Sequence, residues 1–434
     1  MKFSIYTLGC KVNQYESQAL EQVLLSRGYE EGNFDEACDM YIVNTCTVTA
    51  VSDKKSRNAL RRARKLNPEA VIGVCGCYAQ VKPEDMEKLD VDVVGGTGDR
   101  IDFIRRMEQF LMDRVPSSVI DNAFKRKEME ILAPGGLGDR TRAMLKVEDG
   151  CVNFCSYCII PYARGAIRSL PIDTAVGQLR SLYAKGYKEA VVTGIEISSW
   201  GRDLPGKPKP EQLIAALCEA VPNMRIRLGS LEPRTIDDEF CSALEKYNNL
   251  CPQFHLSLQS GCDATLKRMN RKYDTERYLL SCRLLRSAFP DCAITTDLIT
   301  GFPGETEEEF SQTLAFLLKA GFSQMHIFPY SRREGTPAAV MPDQIPQTEK
   351  EARAGRAKAV ADEMMHAFRS SFVGKTLPVL FEQTNEKGNW TGHTMNYIPV
   401  EVPFDGNLHN QILNVALDEV VESGILGHLV ENEF

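Results

Sequence analysis
No apolar run in this chain reaches the roughly 18 residues of a membrane span. The opening stretch, MKFSIYTLGCK, has a short apolar segment after a single Lys. It predicts a first strand, not a secretory signal. A cytoplasmic setting without a membrane partner follows as the default. Positive charge is also in deficit, since the formal net charge is −8. That excludes a protein that coats nucleic acid by bulk charge, so any RNA contact must come from local basic patches. There is no internal repeat and no low-complexity tract. The most conspicuous cysteine run, EDGCVNFCSYCIIP, is itself short of a ligand. Cys151, Cys155 and Cys158 supply three thiols, with no second C-x2-C hook and no His nearby, which a zinc knuckle would need.

What is present fits a soluble chain of several domains. Its 434 residues suggest two to four. A hydrophobic fraction of 43% and a charged fraction of 25% are ordinary for a globular protein. The 14 cysteines are poor disulfide candidates in a reducing compartment. Those that cluster or end strands read as metal or cluster ligands. Three thiolates leave one iron of a four-iron cluster without a protein ligand, and a chelating cosubstrate can bind there. The C-x3-C-x2-C spacing is the mark of enzymes that reductively cleave S-adenosylmethionine to make a carbon radical.

The fold class is α/β. Residues 1–112 alternate strands (4–7, 40–44, 70–74, 91–94) with helices (14–27, 51–66), which predicts a parallel sheet with helices on both faces. Residues 113–142 read as linker, with Pro116-Ser117-Ser118, Lys125-Arg126-Lys127 and Ala133-Pro134-Gly135-Gly136. Residues 143–372 resume the alternation, with strands at 143–147, 190–193, 225–229, 254–258, 293–299 and 325–328. Six βα units predict an open, partial barrel. After a charged helix at 348–372, residues 373–434 carry alternating segments at 377–383, 395–402, 412–417 and 425–430. They predict a small all-β, OB-like barrel.

The cysteine run follows the first barrel strand, at the mouth where barrel active sites lie. Tyr157 is placed either to pack on an adenine or to fill a core. Gly194 and Glu196 end the second strand, where a carboxylate could receive the amino group of a methionine moiety. Ser230 and Glu232 end the third strand, Ser257 and Gln259 the fourth, and Asp297 lies in the fifth. Together they outline one polar mouth, although each alone could be a turn residue. A second triad, Cys10, Cys46 and Cys77, ends three strands of the first domain. Parallel strands bring such ends to one sheet edge. From spacing alone this is either a second open cluster site or three core cysteines, with Cys75 a competitor for Cys77. Lys54, Arg57, Arg61, Arg64 and Lys65 form a helix stripe that either grips phosphates or is simply solvated. Trp390, His393, Asn396 and Tyr397 suit single-stranded RNA or the packing of a barrel rim.

These motifs together resemble the radical-SAM methylthiotransferase family along nearly the whole chain. TLGCKVNQYES, VNTCTV and GCYAQ resemble its N-terminal domain. GCVNFCSYCIIPYARG, HLSLQSGCD, DLITGFPGETEEEF and FPYSRREGTP resemble its radical-SAM core, and GHTMNY its TRAM domain. The resemblance implies two [4Fe-4S] clusters, one on Cys151, Cys155 and Cys158 that cleaves S-adenosylmethionine, and an auxiliary one on Cys10, Cys46 and Cys77. TLGCKVNQYE is similar to the branch acting on tRNA N6-threonylcarbamoyladenosine 37, next to the anticodon. The isopentenyladenosine branch more often reads TYGCQMN and the ribosomal-protein aspartate branch SLGCPKN. The implied reaction is 2-methylthiolation of the adenine, with a low-potential electron donor such as flavodoxin or ferredoxin. Two positions depart from the family pattern: Leu170 stands where an Arg is usual, and Glu196 where an Asn is common.

Overall fold
The computed structural model describes residues 1–133, 135 and 141–430. The parts of the predicted linker at 134 and 136–140 lie outside the described residues.

The N-terminal layer is built on β1 (Lys2–Thr7), α1 (Lys11–Ser26), β2 (Glu30–Glu31), β3 (Met40–Thr45), α2 (Ala50–Leu66), β4 (Val71–Gly76), α3 (Cys77–Val81), α4 (Pro83–Met86), β5 (Val93–Gly95), α5 (Arg100–Asp113) and β6 (Ser117–Val119). The strands form one parallel sheet in the order β2-β1-β3-β4-β5-β6. Its strand residues alternate between two apolar cores. Met40 and Ile42 face the side of α1 and α5, while Tyr41 and Val43 face α2. β6 falls inside the stretch read as linker. Its three residues pair with β5 and extend the sheet by one edge strand.

The second layer starts with β7 (Arg142–Lys146). The short antiparallel pair β8 (Glu148–Asp149) and β9 (Arg168–Ser169) brackets α6 (Ile160–Arg164). Then come α7 (Ile172–Ala184), β10 (Glu189–Thr193), α8 (Pro210–Ala220), β11 (Arg225–Leu228), β12 (Ser230–Leu231), α9 (Asp238–Leu244), β13 (Gln253–Leu256), α10 (Asp263–Arg268), α11 (Thr275–Ala288), β14 (Ala293–Thr300), α12 (Glu307–Ala320), β15 (Gln324–Pro329) and α13 (Gln347–Ser370). The six βα units are present, with the third strand split. β11 pairs with β10 and, past Gly229, β12 pairs with β13. The ladders between the strands of these units are all parallel. Ala143, Leu145, Ala190, Val192, Ile226 and Leu228 point outward into the core with α7 and α8. The alternate residues, Arg142, Lys146, Glu189 and Arg227, line the lumen instead.

The C-terminal barrel closes in the order β16-β17-β18-β20-β19, from β16 (Thr376–Thr384), β17 (Trp390–Thr394), β18 (Pro399–Val402), β19 (Ile412–Val421) and β20 (Gly424–Leu429). This is five strands, against four alternating segments in the sequence. The segment read as 395–402 becomes a strand only at Pro399. Before it the chain turns at Tyr397, whose φ is 67°.

Candidate functional site
Three neighbouring strands, β1, β3 and β4, end at the same sheet edge, and each delivers one cysteine. Cys10 sits one residue before α1, Cys46 follows β3, and Cys77 opens α3. The strand ends approach closely. At Gly9, φ is 103°, and a Cβ there would lie 2.8 Å from Cys46 Sγ, so only glycine fits. Burial raises the Cys46 thiol, and Cys10 beside it adds to the effect. Cys77 is pushed up to about 12, mainly by burial. Cys75 does not compete. It lies inside β4 and joins Phe103 and Met107 on the opposite face of the sheet.

The second triad lies on the loop between β8 and α6. Cys155 is buried, while Cys151 and Cys158 are half-buried. Burial pushes Cys158 up to about 12 and raises Cys151 as well. Among the described residues, no three His, Cys, Asp or Glu side chains are close enough to share one metal ion. Zinc needs such closeness. In an iron–sulfur cube each thiolate binds its own iron, and its ligands are spread apart.

Each triad has an arginine at one of its sulfurs, Arg164 fully buried and Arg271 half-buried. Arg164 Nε donates to Cys77 Sγ at 3.3 Å, and Arg271 Nη1 donates to Cys155 Sγ at 3.1 Å. Arg271 Nη2 is buried without a hydrogen-bond partner. A thiol cannot satisfy a guanidinium as a thiolate-bound anionic cluster can, so both triads fit the cluster their spacing suggests. Arg164 belongs to a larger buried network. Its Nη1 lies 2.5 Å from Glu16 Oε1 and its Nη2 2.7 Å from Asn13 Oδ1. Lys146 Nζ lies 2.7 Å from both Glu16 and Asp149. Arg100 bonds Glu16 and Glu130, and Arg168 reaches Asp149. Arg164 is the member of this network that also reaches Cys77. The cations hold Glu16 at about 2 despite the burial that opposes ionisation.

At the mouth of the second layer, Gly194 and Glu196 stand against Glu148. Glu148 Oε2 accepts the Glu196 N–H at 2.7 Å, while its Oε1 is buried and unpartnered. A Cβ at Gly194 would lie 2.7 Å from Glu148 Oε2 and 3.0 Å from Ile197, so glycine is what lets Glu148 close on this strand end. Burial raises Glu148 well above the usual range. Desolvation and then Glu232 raise Glu196 to about 7, with Arg271 opposing them. Glu232 pairs with Arg234, and its N–H donates to Ser198 Oγ. Ser230 is exposed and pairs across the sheet with His255. Ser257 is half-buried next to Tyr273, whose hydroxyl bonds the Ser257 carbonyl. Gln259 has φ 69° and bridges to β14 through Asp297 and Ile299. His255 Nε2 lies 3.3 Å from Asp297 Oδ2 in the lumen. Tyr157 packs edge-on against Phe302 at 6.4 Å. Leu170 is buried in the core, and its carbonyl accepts the Trp200 indole N–H.

A recess of ≈ 420 Å³ opens where all three layers meet. Lys11 and Gln14 of α1, Arg142 and Arg227 of the lumen, and Glu382 and Tyr397 of the small barrel line it. Arg142 pairs with Glu382 at 3.0 Å, and Arg227 with Glu189 at 2.7 Å. The barrel docks by the same groups. Arg227 sits over the Tyr397 ring and donates to the Met395 carbonyl, and Arg225 donates to the carbonyls of His393 and Pro378. Asn396 is buried against Asp291. Asn396 and Tyr397 are therefore docking residues, not a free stacking surface. On α2, Arg57 bonds the Tyr78 hydroxyl, and Arg64 is used on Ala70 and Asp92. Lys54, Arg61 and Lys65 remain exposed.

The sequence reading did not find Arg164, Arg271, Glu16 or Glu148, although three of them lie in or beside quoted motifs. Nothing local in YARG or NQYES marks Arg164 or Glu16 as buried, because their partners lie on other elements.

A parallel sheet with a cysteine triad, joined to a partial barrel with a C-x3-C-x2-C mouth, defines a radical-SAM enzyme with a second thiol site. Comparisons carry this further. The model of uncharacterized protein family UPF0004 matches residues 2–96, and that of the radical SAM superfamily matches 145–317. A threonylcarbamoyladenosine tRNA methylthiotransferase of Bacillus subtilis is 39% identical, covering 95% of this chain and 93% of the relative. One from Thermotoga maritima is 37% identical over 97% and 95%. A tRNA-2-methylthio-N(6)-dimethylallyladenosine synthase of Clostridium perfringens is 33% identical over 99% and 98%. In fold, the chain is similar to the radical S-adenosylmethionine methyltransferase TsrM from Kitasatospora setae, with TM-score 0.55, 16% identity and coverage of 78% and 75%. The chain belongs to the radical-SAM methylthiotransferase family.

Proposed function
We propose that this enzyme converts N6-threonylcarbamoyladenosine 37 of tRNA to its 2-methylthio derivative. The observation that carries the reading is the pair of three-thiol sites on adjoining layers, each with an arginine at a sulfur. The names of its relatives at 39% and 37% identity favour the threonylcarbamoyl substrate over the isopentenyl one.

Cys151, Cys155 and Cys158 are the residues to hold the radical-generating [4Fe-4S] cluster, and Cys10, Cys46 and Cys77 the auxiliary one. When bound, these clusters and S-adenosylmethionine supply the electron, the carbon radical and the sulfur that an unactivated C2–H bond requires. The protein's own part is placement. Arg271 and Arg164 balance the charge of each thiolate set. Gly194 admits Glu148 to the strand end, and Glu196 and Glu148 receive the amino group of the methionine moiety. Glu232 and Ser230 continue the same wall. The network around Glu16 fixes the angle between the two layers, and so the separation of the two sites. The anticodon loop presents its base unstacked, as single-stranded RNA allows. Lys54, Arg61 and Lys65 grip its backbone. A low-potential donor of the flavodoxin or ferredoxin class supplies the electron, in the cytoplasm.

The test is nucleoside mass spectrometry of total tRNA from cells lacking this gene, with and without its restoration. Threonylcarbamoyladenosine should accumulate, and its 2-methylthio form should return only on restoration. An unchanged nucleoside pool would reject this substrate and turn attention to isopentenyladenosine.

A further inference from the structure
We propose that Lys11 recognises the carboxylate of the threonylcarbamoyl group, beside the N-terminal triad, and so selects the anionic substituent over a neutral one. This rests on the substrate reading above. Lys11 directly follows Cys10 and projects into the ≈ 420 Å³ recess, a volume suited to a nucleobase with its substituent. Three cations line that recess, but two are already used. Arg142 is held by Glu382 and Arg227 by Glu189. Among the described residues, Lys11 makes no ion pair. Its ammonium is the charge that an incoming group meets.

The chemistry of the base agrees with this placement. In adenine, C2 and the carbon bearing N6 flank N1. A base that presents C2 to the triad therefore sends its N6 substituent past N1, to a neighbouring partner. Cys10 and Lys11 are consecutive, so one short stretch of chain serves both ends. A carboxylate entering the recess loses water and needs a cation there. A neutral substituent would instead leave Lys11 covered and unpaired, which disfavours it.

The experiment uses the full-length protein with reconstituted clusters. Its probes are anticodon stem-loop RNAs carrying N6-threonylcarbamoyladenosine, the methyl ester of that group, or N6-isopentenyladenosine. The wild-type protein should bind the acid about tenfold more tightly than the ester. Lys11→Met should bind acid and ester alike, and Lys11→Arg should keep most of the preference. Equal binding of acid and ester by the wild type overturns the proposal, as does an undiminished preference in Lys11→Met. If Lys11→Met does not fold, the acid–ester comparison in the wild type still decides whether the carboxylate is read, and Lys11→Gln takes its place. Methylthiolation of the isopentenyl RNA alone would reject the substrate reading and this proposal with it. Methylthiolation of the acid with equal binding of the ester would remove only the role of Lys11.

Discussion
Arg164 and Arg271 do the same job at the two thiol sites. Arg164 is buried and Arg271 half-buried, and each places a guanidinium N–H on one thiol of a triad. Arg164→Met should leave Glu16 and Asp149 short of a cation and Cys77 without its donor. The expected result is loss of about half the iron, with stability lowered by about 3–5 kcal/mol; iron analysis and denaturant melts check it. Glu196 gives a pH test. Its carboxyl is raised to about 7, so it is largely protonated below that pH and ionised above it. If it receives the cosubstrate's ammonium, affinity for S-adenosylmethionine should rise as pH passes upward through about 7. Glu196→Gln should flatten that rise in a titration across the same range. At this scale the grouping of Cys10 with Cys46 and Cys77 at one sheet edge was legible because strand-end positions are local. Glu16, Arg164 and Lys146 were not, since the partners that explain them stand up to 151 positions apart.

Elements carry the sites by where they stop. β1, β3 and β4 are adjacent in the sheet, so their C-terminal ends converge without any long-range signal beyond the strand pattern itself. That is why the triad could be read, and why Cys75, one strand pleat away, faces the other core. β6 escaped because SSV is short, polar and half-exposed at a sheet edge. β17 escaped because WTGHT carries a glycine and few apolar residues, and its pairing is set by closure of the barrel. α1 is joined to β7 through Glu16, fully buried among Arg100, Lys146 and Arg164. Glu16→Gln should destabilise the protein by about 3–5 kcal/mol near neutral pH. Because the folded pKa is depressed to about 2, Glu16 stabilises above its unfolded value of 4.5, and that gain is lost as pH falls toward 2. The difference between wild type and Glu16→Gln, measured by denaturant unfolding, should shrink over that window.

Residues of all three layers meet at the recess lined by Lys11, Arg142, Arg227 and Tyr397. The order and class of the three were legible from alternation and motif. Their docking was not, because it depends on lumen arginines meeting carbonyls of the small barrel. Lys54→Glu with Arg61→Glu should weaken tRNA binding and reduce its salt slope by about two, leaving the melting temperature near wild type. The central claim is a division of labour between the two triads, and the purified Cys46→Ala protein tests it most directly. Supplied with S-adenosylmethionine, reductant and threonylcarbamoyl-bearing RNA, it should still release 5′-deoxyadenosine while forming no 2-methylthio nucleoside. Methylthiolation retained in that variant would contradict the two-site assignment.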